Sequence, residues 1–301
     1  MRLTRRFILV ACALLAISPL LAAVVGNSVG NGILHPMRLN AMRLQDTQHM
    51  LARTGATKED FSAQAQDGVT LKGWKLRPGV ANGDWVLLYH GVSDNRTGVL
   101  GHAEFLLRRG YSIVMMDSRE HGESGGDICT YGWEERHDSV AITDALCASE
   151  KVRHLYALAV SMGAAIALQS AAIEPRIEAV AAEAPFANLR EVSYDYAGLD
   201  VSATLGRTLF RPASMVALAS VQKEGGFDPT DVSPEKAVAA ASFRSPSHLR
   251  DIRPPHPLPP FGADLQIRRG SKRTLDRERR RPRRRARPLA DRVRNARREI
   301  I

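Results

Sequence analysis

One segment constrains this chain more than any other: Tyr156-Ala157-Leu158-Ala159-Val160-Ser161-Met162-Gly163-Ala164-Ala165-Ile166-Ala167. A short apolar run, of the kind buried on both faces of a parallel sheet, leads straight into a serine. A helix of small residues leaves it. The turn between strand and helix has to be sharp, so Ser161 Oγ is lifted clear of the sheet edge. The helix start presents unpaired N–H groups and a favourable dipole beside it, which suits a developing oxyanion. Strand and helix nearly touch around such a turn, so the residues two before and two after the serine must be small. Here they are Ala159 and Gly163. Ser161 is therefore a candidate nucleophile. The competing reading makes it only a helix N-cap, a role serine fills well.

The remaining pattern has the same character. Phe61–Ala65 and Val69–Leu76 read as two strands joined by an Asp67-Gly68 turn. Trp85–Tyr89, Tyr111–Met116, Leu155–Val160 and Ile177–Ala182 read as buried strands. Helical periodicity covers Ala103–Arg109, Glu134–Ala148 and Gly163–Ala172. Strands alternating with helices predict an α/β fold with a mostly parallel, doubly wound sheet, and the first hairpin forms an antiparallel edge. A chain of 301 residues is long enough for one such domain with a well-buried core.

Two further motifs follow strand ends. Tyr89-His90-Gly91-Val92 closes one buried strand, and Asp117-Ser118-Arg119-Glu120-His121-Gly122-Glu123-Ser124-Gly125-Gly126 follows the next. His90 reads as a brace for its loop rather than a proton carrier. Asp117 and His121 read as residues that shape the loop beside the serine. Taken in order with the serine elbow, these motifs resemble the α/β-hydrolase superfamily. More narrowly, they resemble bacterial exported or membrane-anchored hydrolases related to the serine aminopeptidase and prolyl-oligopeptidase-like groups. Asp94-Asn95-Arg96, Tyr131-Gly132 with Glu134, and Glu183-Ala184-Pro185-Phe186 fit the same pattern, and the likeness runs from about residue 60 to 240. Ala159 and Glu120 stand where such proteins usually have glycine. The resemblance implies a serine hydrolase of ester or amide bonds that works through an acyl-enzyme on Ser161. The Val92 and Met162 amides would form its oxyanion hole, supported by His90, Gly91 and Gly163. The substrate would be a small ester or peptide-like molecule, and no metal or cofactor is expected.

The two ends depart from this pattern. Arg2-Leu3-Thr4-Arg5-Arg6 precedes an apolar run from Phe7 to Val25. This reads as an export signal or membrane anchor over 1–27, with the body outside the cytoplasm and the membrane as a partner. The other reading is a buried N-terminal helix. Residues 28–60 are expected to connect, 61–243 to form an incomplete hydrolase domain, and 244–301 to form a tail. That tail holds 19 basic residues against 6 acidic ones, so it is +13 while the whole chain is only +10. The body is thus mildly acidic, and no specific nucleic-acid binding is expected.

Prolines at 254, 255, 257, 259 and 260 forbid a central strand in the tail. Composition predicts disorder there. The resemblance calls for a triad acid after the next buried strand and a histidine further on. Neither has a matching motif, and His248, His256, Asp251 and Asp264 carry no sign of either role. The abrupt change near residue 244 reads as a reading-frame shift relative to an intact hydrolase, with sheet strands lost. The rival is a genuine basic tail for an anionic partner or membrane surface. Without its base, Ser161 would be a poor nucleophile and activity impaired. The alternative from another class is a non-catalytic hydrolase-fold binding protein that uses the tail for anionic partners. Cys129 and Cys147 remain open to pairing or to standing as two thiols.

Overall fold

The computed structural model describes residues 19–198, 202–240 and the backbone of 265–267. A seven-stranded sheet runs through it in the order β1-β2-β4-β3-β5-β6-β7. Strands β1 (Thr57–Gln64) and β2 (Thr70–Arg77) form the antiparallel hairpin, and β2 also lies antiparallel to β4. From there β4 (Ser112–Met116), β3 (Asp84–Tyr89), β5 (His154–Val160) and β6 (Ile177–Glu183) are mutually parallel neighbours. Every residue of β3 and β4 is buried, as expected for a strand covered on both faces. On one face α2 (Leu44–Thr54) and α3 (Leu100–Leu107) enclose a core of Trp74, Leu76, Leu88, Ile113 and Met115. On the other, α4 (Glu135–Ser149) and α5 (Met162–Ile173) cover Trp85, Leu87, Val114 and Leu155. The expected doubly wound α/β architecture is the one found.

Residues 28–60 do more than connect. They hold α2 and the start of β1, which begins at Thr57 rather than Phe61. The first four residues of β1 are exposed polar side chains pairing Trp74–Arg77 at the sheet edge. An edge strand with both faces wet leaves no apolar periodicity to read. Residues 19–34 are helical and form α1. Part of the segment expected as a signal or anchor, 19–27, is thus helical, and Gly26 within it packs against Ala213 and Val216 of the body, while 1–18 lie outside the described residues. Among the described residues, no helix is long and apolar enough to cross a membrane.

Beyond β6 the chain builds α6 (Leu189–Ala197), α7 (Ala203–Arg207), α8 (Arg211–Gly225) and α9 (Pro234–Ala240). Leu34 at the end of α1 joins Leu189, Val221, Phe227 and Val232 in a third, smaller core. Its carbonyl accepts from the Cys129 amide at 2.8 Å, tying α1 to the body. Past β6 the described sheet continues only as β7 (Leu265–Ile267), three residues lying antiparallel to β6. The other positions weighed in the tail, His248, His256, Asp251 and Asp264, lie outside the described residues. Cys129 is buried and Cys147 exposed, and the two are not paired.

Candidate active site

At the carboxyl end of β5 the backbone turns at Ser161 with φ 54° and ψ −119°. A non-glycine residue held there costs on the order of 1–3 kcal/mol, so the surroundings have to impose it. They do so from two sides. The Ser161 amide donates to the Glu183 carbonyl at the end of β6, at 2.8 Å. A Cβ built on Gly163 would lie 2.5 Å from the His90 carbonyl oxygen and 2.7 Å from Tyr89 Cβ, so only glycine lets α5 start this close to β3. Ala159, fully buried between Tyr89 and Ala182, accommodates its extra methyl. Ser161 occupies the N-cap position of α5, but its side chain makes no capping hydrogen bond. Among the described residues nothing hydrogen-bonds Ser161 Oγ, which leaves it facing the cavity above.

The loop after β3 sits against this turn. A Cβ on Gly91 would stand 3.7 Å from Ser161 Cβ. Neither the Val92 amide nor the Met162 amide is engaged by a hydrogen bond among the described residues. Val92 is partly exposed and Met162 buried. His90 holds the loop's shape. Its Nε2 accepts from the Ser118 amide at 3.0 Å, so Nδ1 carries the proton and donates to the Gly91 carbonyl at 2.7 Å. Burial, helped by the neighbouring His121 ring, pushes the His90 imidazole down to about 4. A neutral ring with both nitrogens engaged is a brace. His121 repeats the device, taking the Ser93 amide at 3.2 Å on Nε2 and bonding the Arg119 carbonyl through Nδ1.

Asp117 ties the two loops together. Its carboxylate accepts from the Arg96 amide at 2.7 Å, Arg96 Nη1 at 2.9 Å and the Glu123 amide at 2.8 Å. Burial pushes this carboxyl upward against the pull of those donors. Glu120, standing where glycine is usual, has φ 59°, the left-handed backbone that glycine adopts without cost. An imidazole–carboxylate pair that the sequence did not signal also reaches this end of the sheet. His102 Nε2 lies 3.3 Å from Glu183 Oε2.

A cavity of about 470 Å³ opens over Ser161. Val192 and Tyr196 of α6, and Ala213 and Ala217 of α8, line it in pairs at helical spacing, together with Phe186 and Val29 of α1. Sequence patterning alone does not show these two stripes as the lining of a pocket. They are short, and they gain meaning only once both helices are placed against α1.

A protein-family model described as serine aminopeptidase, S33, matches residues 82–250, more than half of the chain. The chain belongs to the serine aminopeptidase S33 family. Within the α/β-hydrolase superfamily, the S33 chain is also similar to two curated proteins. The uncharacterized protein YqkD of Bacillus subtilis is 29% identical over 114 residues, which cover 37% of this chain and 36% of that protein. The polyketide transferase ATR5 of Stachybotrys chlorohalonatus is 31% identical over 135 residues, 43% of this chain and 45% of that one. The matched part spans less than half the length of either relative. Among solved structures, the Pyrococcus furiosus esterase Pf2001 aligns with a TM-score of 0.49 at 24% identity, over 61% of this chain and 68% of that one.

Proposed function

We propose that this chain is a serine hydrolase in which Ser161 attacks the carbonyl carbon of an ester or amide. The carbonyl oxygen would gather charge between the Val92 and Met162 amides, and collapse would expel the alcohol or amine. Water would then release the acyl group. The observation that carries this reading is the Ser161 turn. A strained backbone holds an uncapped hydroxyl beside two unengaged amides, under a cavity sized for a small molecule. A helix cap alone would not require that strain. Membership of a hydrolase family supports the same conclusion.

No imidazole among the described residues bonds Ser161 Oγ, which favours a second reading: a folded scaffold that binds but turns over slowly. In serine hydrolases, an oxyanion hole and binding site without a full triad retain roughly 10³–10⁴-fold acceleration over water. Covalent labelling by a small fluorophosphonate separates the two readings. The hydrolase reading expects labelling of the wild type and none of Ser161→Ala. A folded wild-type protein that takes no label removes it and leaves the scaffold.

A further inference from the structure

The cavity over Ser161 carries more information than its position. None of the described residues that line it is charged; the polar contributions come from hydroxyls such as Ser161, Ser193 and Ser214. A peptide substrate offering its α-ammonium group would find no carboxylate among the described lining residues, and an unpaired charge among Val, Ile and Phe side chains is strongly disfavoured. An uncharged alkyl chain could lie against Val29, Ile33, Phe186 and Val192.

One wall of this cavity is α1. Gly26 and Gly30 lie one turn apart on it, and both press on α8. A Cβ at Gly26 would fall 2.5 Å from Val216 Cβ and 2.7 Å from the Ala213 carbonyl oxygen. At Gly30 it would fall 2.8 Å from the Ala217 carbonyl oxygen. Contact this close sets the rotation of α1 and turns Val25, Val29 and Ile33 toward the space above Ser161. Gly32 lines the same space, and a Cβ there meets nothing within 4 Å. The glycines that touch α8 are filled against, while the one facing the cavity is open.

We propose that this cavity binds a straight, uncharged alkyl or acyl chain, that α1 is its specificity-determining wall, and that Gly32 sets its free depth. Cleavage of an ester carrying such a chain would rest on Ser161 as nucleophile; the binding does not. The test is isothermal titration calorimetry of full-length Ser161→Ala protein with 1-hexanol, 1-octanol and 1-decanol. Each added methylene is expected to tighten binding about fourfold. Hexylammonium is expected to bind at least tenfold more weakly than 1-hexanol. Adding Gly32→Trp, which grows into open space and should keep the urea midpoint, is expected to weaken 1-decanol at least tenfold. Flat chain-length dependence overturns the proposal. So does hexylammonium matching hexanol, or decanol binding unchanged by a folded Gly32→Trp protein, which would locate the alcohols elsewhere. Because these proteins lack the hydroxyl, their titrations stand whatever fluorophosphonate labelling shows. Chain binding without labelling of the wild type would retain this inference and remove the hydrolase reading.

Discussion

At the scale of single residues, the site is shaped by side chains that do no chemistry. His90 is fully buried, its protonation depressed to about 4, and its two nitrogens join the Gly91 loop to the Ser118 loop. This makes a prediction with a definite sign. The unfolded imidazole takes its proton near pH 6.5, whereas the folded one resists until about pH 4. Between those values the unfolded chain binds more protons, so His90 draws stability away as pH falls through that window and contributes fully above it. The loss is on the order of 3 kcal/mol for a shift of this size. Urea midpoints of the wild type and of His90→Gln, measured from pH 7.5 to 4, test it. The variant is expected to be less stable at pH 7.5 and to lose less on acidification. Parallel curves for the two proteins would mean that His90 is solvated or charged in the folded state.

At the scale of elements, what the sequence made legible followed from burial. Strands β3, β4 and β5 are apolar throughout or nearly so, and the serine turn between β5 and α5 needs small residues at fixed offsets, so these were readable to within a residue. The exposed start of β1 was not, because an edge strand wet on both faces has no pattern. Nor was α1 recognisable as a cavity wall. Its apolar residues look the same whether lipid or α8 covers them, and only the contacts of Gly26 and Gly30 distinguish the two. Those contacts predict that Gly30→Leu, which would otherwise favour a helix, instead overpacks the α1–α8 interface at a cost of about 1–3 kcal/mol. Limited proteolysis is expected to cut within 19–34 in this variant while sparing the sheet. Stability equal to the wild type would show that α1 does not rest on α8.

At the scale of the whole molecule, the question is where the sheet ends. From β3 through β6 every crossover places the next strand parallel to its neighbour, and residues that approach Ser161 leave from those carboxyl ends. A further crossover strand beside β6 would deliver the triad acid to that edge. That place is instead taken by Leu265–Ile267, three residues running antiparallel. The composition around it is unlike anything before residue 244: 19 of the chain's 42 basic residues and half of its 16 prolines fall in the last 58 positions. A domain whose helices and strands agree this well up to α9 has no internal reason to change character within a few residues. Out-of-frame translation of GC-rich DNA produces such Arg- and Pro-rich text. The prediction concerns the gene across codons 236–260, resequenced and translated downstream in all three frames. One alternative frame is expected to encode an apolar strand ending in a G-x-x-D turn and, later, a histidine. Restoring that frame is then expected to raise fluorophosphonate labelling of Ser161 by orders of magnitude, since the base would be returned to it. If no frame contains such a strand, the basic tail is the chain's own, and a conventional triad at Ser161 has to be given up.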